Sequence, residues 1–285
     1  MSDRTGRSIE DRVVALLKAN HRDLRSFVRA VEGLAPVDGD VAAFLEDMGT
    51  MLASDDRNVG AMELWERAAR LYEDQARLED LAELYANMGP VAATMGDLPR
   101  GIRFSQKAEE LSGQLEPDPE LAYHVSSDLG AMYAEMGDWE HAMYEDSRAL
   151  EVSRATDDYA GQVSALLALA QVSIARGDLD AARSEAMGAL SLSHFHTDAR
   201  LEADSLRAVG DVSEASGEHE QAVRQYQQGL SLEATASDPE IRAQLHYGLS
   251  VAYDAMGETA MAAKERNLTE ESGLPGDAED DNGHD

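Results

Sequence analysis

Metal-ligating side chains stand close together at His194-Phe195-His196, with Asp198 two places on. Imidazole and carboxylate at this spacing could hold a zinc or nickel ion if the helix that carries them frays. Against that, residues i and i+2 of a helix diverge and no fourth ligand is evident. The favoured reading is two exposed histidines flanking a buried Phe195, with no metal bound.

Other catalytic patterns are missing. The chain has no cysteine, which excludes disulfides, thiolate metal sites and a thiol nucleophile. Its glycines stand singly rather than in a phosphate-cradling run after a strand, and neither G-x-S-x-G nor H-E-x-x-H occurs. Among 56 acidic side chains, carboxylate pairs at any spacing arise by chance. The expectation is a chain that is not an enzyme, with no catalytic residues and no cofactor.

Those 56 acids face only 24 lysines and arginines, a net charge of −32 that repels nucleic acid. Two readings of the acidity stand side by side. One is solvation of the whole surface in the style of salt-accumulating halophiles, which suits the few lysines (Lys18, Lys107, Lys264). The other is a basic partner. Near the N-terminus the longest apolar run, Val13 to Leu17, is too short for a signal peptide or a membrane span, so a cytoplasmic protein is expected. The tail from Pro275, PGDAEDDNGHD, reads as disordered.

The elements that would position any site are written in a repeated phrase: GDWEHAMYEDSRALEVS from Gly137, GDLDAARSEAMGALSLS from Gly177 and GEHEQAVRQYQQGLSLE from Gly217. Glycine followed by an acid also occurs at Gly96 and Gly257, giving intervals of 41, 40, 40 and 40 residues, and one more step back lands on Asp56. A fixed period of this size marks stacked supersecondary units. Each phrase reads as a helix, a tight turn and a second helix. Glycine supplies the left-handed residue that ends the first helix, and the following acid caps the second, Asp better than Glu218 or Glu258. Asp118, Asp158, Asp198 and Asp238 mark where first helices begin, two of them followed by proline at the first helical position.

Small residues recur at Ala61, Gly101, Ala142, Ala182, Ala222 and Ala262 on second helices, and at Gly49, Gly89, Gly130, Ala170, Gly210 and Ser250 on first helices. Sites that stay this small are where two helix backbones cross closely. Apolar residues at helical spacing lie between them, among them Leu129, Met132, Tyr133 and Met136 in one first helix and Ala142, Ala149 and Leu150 in its partner.

With these positions in phase, the chain resembles the tetratricopeptide repeat family in its forty-residue form, similar to Pins-type and kinesin light chain repeats. The resemblance implies an all-α fold, a right-handed superhelical α-solenoid of six stacked helix-turn-helix repeats spanning residues 40–274. The repeats fall at about 40–79, 80–117, 118–157, 158–197, 198–237 and 238–274. Residues 1–39 read as an amphipathic capping helix or helix pair, with Val13, Leu16, Leu17, Leu24, Phe27, Val28 and Val31 on one stripe, a partner-binding helix being the rival reading, and 275–285 as the acidic tail. The large aromatic of the second helix appears as Trp65 and Tyr226 but is replaced by Ser105, Asp146, Ala186 and Arg266 elsewhere. Arg266 and Thr269 suit a solvated face at the end of the stack. Pro90, inside a first helix, reads as a kink beside Asn87 or as tolerated drift, with drift favoured.

The resemblance further implies that a partner lies in a concave groove lined by first helices. Carried onto this sequence, the groove positions are Glu46, Asp47 and Thr50; Glu83 and Asn87; His124, Asp128 and Glu135; Leu167, Gln171 and Ile174; Asp204, Arg207, Asp211 and Glu214; and Gln244, Tyr247, Val251 and Asp254. Arg207 is the one cation in this set, so a basic or amphipathic protein segment is expected there rather than an acidic tail, and neither nucleic acid nor membrane. The expected function is a non-enzymatic interaction scaffold, with a peptide-responsive regulatory sensor that sequesters a response regulator or transcription factor as the alternative. The oligomeric state stays open.

Overall fold

The computed structural model describes residues 8–36, 39–232, 235 and 237–271; the acidic tail expected from Pro275 lies outside the described residues. Fourteen α-helices and no strand are found among them. They are α1 (Ile9–Ala19), α2 (Leu24–Glu32), α3 (Val41–Ser54), α4 (Asn58–Gln75), α5 (Leu78–Thr94), α6 (Leu98–Ser112), α7 (Pro119–Glu135), α8 (Trp139–Ala155), α9 (Tyr159–Arg176), α10 (Leu179–Phe195), α11 (Ala199–Ala215), α12 (His219–Leu230), α13 (Pro239–Ala255) and α14 (Thr259–Glu271). The chain divides into two compact units, with the boundary between Asp138 and Trp139.

The turns follow from backbone chemistry. Gly96, Gly137, Gly177, Gly217 and Gly257 all have φ between 74° and 81°, and Asp56 takes the same left-handed region at 57°. In one such turn the Gly96 N–H donates to the Ala93 carbonyl at 2.8 Å and the Asp97 N–H to the Ala92 carbonyl at 3.0 Å, closing the helix end. First helices begin where expected. Asp118 accepts from the amides of Glu120 and Leu121 at 3.0 and 3.2 Å, and Asp198 and Asp238 repeat this geometry. Asp158 caps through the Gly161 amide at 3.1 Å. Glu218 makes no side-chain cap, its longer side chain being unable to fold back onto the first amides.

In the first unit, α1 and α2 form a pair packed on α3 and α4, with Val13, Phe27, Val28 and Val31 buried. One continuous apolar cluster runs from Val13 to Met132. Two kinds of helix crossing build it. Between α3 and α4 the Trp65 ring lies where a Cβ on Gly49 would be, 2.5 Å from its Cδ1. Between α5 and α6 Ser105 replaces the aromatic, and a Cβ on Gly101 would lie 2.7 Å from the Gly89 carbonyl oxygen. Loss of the ring therefore draws the backbones together rather than leaving a hole. Helix α5 runs through Pro90 without interruption. That ring removes the N–H that would have bonded the Ala86 carbonyl.

The second unit holds two smaller clusters. Alanines Ala170, Ala182, Ala186 and Ala208 with Val209 and Val212 form one, and Tyr226 with Leu245, Leu249 and Tyr253 anchors the other. Three expectations are corrected here and at the end of α7. Thr269 is buried, because Ala262, Glu265 and Thr269 make the inner stripe of α14, and His246 Nδ1 lies 2.6 Å from Glu265. Phe195 is 79 % exposed, because the buried Ser193 takes the inward position and the residue two further on points out. Met136 is exposed because it caps α7 beyond the last packed turn.

Asp146, at the aromatic position of α8, is 3 % exposed. Burial first, then the charge of Glu145, pushes its carboxyl up to about 7. The folded chain thus keeps a proton that the unfolded chain loses near its ordinary value of 3.8. This group's stabilising contribution is full below the unfolded value and lost as pH rises through about 7. Asp146→Asn is expected to add about 2 kcal/mol at pH 8 and to flatten the fall in stability between pH 5 and 8. Urea unfolding of both proteins at the two pH values checks it; an unchanged slope in the variant would assign the pH dependence elsewhere.

Candidate functional site

Each unit carries a cleft walled by first helices, and the two are described separately. In the second unit the cleft has a volume of about 690 Å³ and is lined by Arg207, Asp211, Glu214 and Ala215 of α11, Tyr226 of α12, Gln244, Tyr247, Gly248 and Val251 of α13, and Thr269 of α14. Six groove residues named from sequence, Arg207, Asp211, Glu214, Gln244, Tyr247 and Val251, meet here. Tyr247 and Val251 are 46 % and 38 % exposed, an apolar surface among polar groups.

The carboxylates of this cleft are already engaged. Arg207 Nη1 donates to Asp211 Oδ2 at 2.8 Å, and the Tyr226 hydroxyl donates to Asp211 Oδ1 at 2.8 Å. His219 Nδ1 lies 2.9 Å from both oxygens of Glu214. Arg266 pairs with Asp254, which is exposed and outside the cleft lining. Burial raises the pKa of Asp211 above the usual carboxylate range, opposed by the Arg207 charge and the Tyr226 hydrogen bond. Asp204, half-buried on the same helix, shifts the same way through burial and is held back by Arg207 and Arg200. Arg207 is the one lysine or arginine lining this cleft; His219 and Arg266, on second helices, pair with Glu214 and Asp254 from outside its lining.

The first unit's cleft, about 600 Å³, is lined by Glu83, Ala86, Asn87 and Pro90 of α5 and by Asp118, Glu120, Leu121, His124 and Asp128 at and along α7. Glu83, Asn87, His124 and Asp128 are brought together as expected, and Pro90 stands on the same wall. Burial pushes the Asp128 carboxyl up to about 6, opposed by His124. This opening keeps an acidic character that the other has lost to internal pairing.

Several groove positions lie elsewhere. Glu46 takes a hydrogen bond from the Tyr72 hydroxyl at 2.5 Å and its carbonyl accepts from Trp65 Nε1 at 3.2 Å, a structural role. Burial raises its carboxyl despite the Tyr72 bond. Asp47, Thr50, Glu135 and Gln171 are exposed and line neither cleft. Leu167 and Ile174 pack against the alanine-rich cluster instead of facing a groove. Tyr226 and Thr269 were missed as cleft residues, Tyr226 because its position signals only packing and Thr269 because a polar stripe leaves no hydrophobic pattern.

At the histidine cluster, His194 Nδ1 lies 3.3 Å from Glu202, and His196 stacks on Tyr159 with centroids 4.1 Å apart and planes 6° from parallel. Among the described residues no three metal-capable side chains converge. Likewise no described helix is long and apolar enough to cross a membrane.

No protein-family model matches the chain, and no curated protein matches it significantly. Solved structures do. A tetratricopeptide repeat protein from Parabacteroides merdae is 17 % identical over 92 % of this chain and 93 % of its own, with a TM-score of 0.63. The apo form of RapI is 13 % identical over 93 % and 96 %, at 0.68. A Rap protein complexed with Competence and Sporulation Factor is 15 % identical over 92 % and 76 %, at 0.59. At these identities the likeness speaks for architecture alone. With helix pairs at a forty-residue period, left-handed turns and glycine-centred crossings, the chain has the tetratricopeptide-repeat fold, a helical-repeat solenoid.

Proposed function

We propose that the chain is a non-enzymatic interaction scaffold that holds a segment of another protein against its first helices. The observation that carries this is the second unit's cleft. There exposed Tyr247 and Val251 stand beside the Arg207–Asp211 pair, in a volume that takes two or three peptide side chains. A segment with an apolar anchor suits that wall. The first unit's cleft, taken by itself, suits basic groups, since Glu83, Glu120 and Asp128 line it. The partner is therefore an amphipathic segment carrying positive charge.

Selection of peptides against the whole chain, followed by fluorescence polarisation, tests the reading. Tyr247→Ala with Val251→Glu is expected to weaken selected peptides by roughly tenfold or more, because removing a buried aromatic anchor costs above about 1.4 kcal/mol. Peptides that bind the double variant as tightly as the parent would place recognition elsewhere. Charge is better tested at exposed Glu120 than at Asp211, whose reversal would strand the Tyr226 hydroxyl.

A second reading, a peptide-responsive sensor that sequesters a response regulator or transcription factor, draws support from the likeness to a Rap protein held with Competence and Sporulation Factor. It requires that binding also change the radius of gyration in solution scattering.

A further inference from the structure

On another side of the second unit, α8, α9 and α10 enclose an opening of about 640 Å³. Leu150, Leu166, Leu169 and Leu192 give it apolar walls, and Phe195 stands at its rim almost fully exposed. No residue of this opening belongs to the clefts described above.

Two features fit an opening that a second surface completes. The first is charge. Glu185 lines it with one carboxylate oxygen shielded from solvent; burial raises its carboxyl, and the neutral hydroxyl of buried Ser173 is the donor set against that. Arg154 lines it too, exposed and in no ion pair among the described residues. A shielded carboxylate facing only a neutral hydroxyl is costly, and the cost falls when a cation arrives from outside.

The second feature is Gly188. At Gly101 and Gly210 an added Cβ would collide with a backbone oxygen or an aromatic ring of the same chain, whereas at Gly188 it would meet only Leu166 Cδ1, at an ordinary 3.6 Å. Nothing inside the chain requires glycine there. The bare backbone instead leaves room for something approaching α10 from outside.

An occupant must bring an apolar knob, a cation for Glu185 and a carboxylate for Arg154. This face itself carries all three, in Phe195, Arg154 and Glu185. A twofold axis brings residue i of one copy to residue j of the other and j to i, so a single self-complementary patch satisfies every demand. We propose that this face is the contact between two copies of the chain, each Phe195 entering the leucine-walled opening of the other and each Arg154 reaching the other's Glu185. Two chains of charge −32 repel, and the screening length shortens from about 8 Å at 0.15 M salt to about 3 Å at 1 M, so salt favours the pair.

Sedimentation equilibrium of the full chain at concentrations up to about 100 µM, in about 0.15 M and about 1 M potassium chloride, is the test. Dimers are expected, tighter at high salt. Phe195→Glu, at an exposed position that leaves the fold intact, is expected to weaken them by roughly tenfold or more, and Arg154→Glu to weaken them by several-fold. Combining Arg154→Glu with Glu185→Arg in one chain should restore most of the lost affinity. Should Glu185→Arg fail to fold, the two exposed variants still decide. A monomer at both salts, or dimers indifferent to Phe195→Glu, overturns the proposal.

Discussion

Tyr226→Ala is expected to cost the second unit about 3–5 kcal/mol, the range for removing a fully buried aromatic side chain. The ring is wedged between two first helices. A Cβ on Gly210 of α11 would lie 2.4 Å from its Cε1, and one on Gly248 of α13 2.6 Å from its Cζ. Backbone forms both walls of the space that truncation would empty, so neighbouring side chains cannot swing in to fill it. Asp211 also loses the hydroxyl that donates to it at 2.8 Å. Tyr226→Phe separates the two effects, because it keeps the volume and removes the hydrogen bond, for an expected loss of about 1 kcal/mol. Urea unfolding with hydrogen exchange on α11–α13 amides reads both. A loss below about 1 kcal/mol for the alanine variant would mean that the helices close over the gap, against the geometry described.

Gly101→Val should damage the first unit comparably, by about 3 kcal/mol or more, for the opposite physical reason. Here there is no space. A Cβ would stand 2.7 Å from the Gly89 carbonyl oxygen, 2.8 Å from the Met132 sulfur and 3.3 Å from the Ala93 nitrogen. The methionine can swing aside, but the two backbone atoms move only if α5 and α6 separate. Glycine inside a helix costs about 1 kcal/mol relative to alanine, and this close contact is what offsets that cost. Gly188→Ala is the control, with only an ordinary contact in its way, and is expected to stabilise slightly. If the two glycines prove equally tolerant in thermal melts, the backbone crossing of α5 and α6 is looser than described.

The repeat was legible because its signals are chemical and local. A left-handed glycine, an aspartate that accepts from the next helix's amides and a small residue at each crossing are written in residue types. The turns through Ala76, Asp157 and Thr197 were invisible: their φ of 53–55° is the same left-handed region without glycine to announce it. The candidate site was legible by halves. First-helix positions Arg207, Asp211, Gln244 and Tyr247 converge because helical periodicity sets which face they share. How their carboxylates are engaged did not follow, because Tyr226 and His219 reach Asp211 and Glu214 from a second helix, and pairing across helices has no period. Glu46 and Leu167 stood in the right register yet belong to packing, since register gives direction and says nothing of what lies opposite. The exposed Phe195 shows the same limit on α10, where alanine, serine and glycine leave almost no apolar contrast between faces.

The capped turn has a consequence for how such a chain changes length. Each forty-residue stretch between Asp118 and Asp238 holds one left-handed glycine and one aspartate cap at the start of a first helix. Any window of that length therefore carries one left-handed turn and one first-helix cap, wherever the cut falls. A gene encoding it can gain or lose whole windows by unequal recombination, and each junction inherits its turn and its cap intact. Misaligned exchanges of other lengths would leave a helix without its stop, so the period itself selects which deletions and duplications survive.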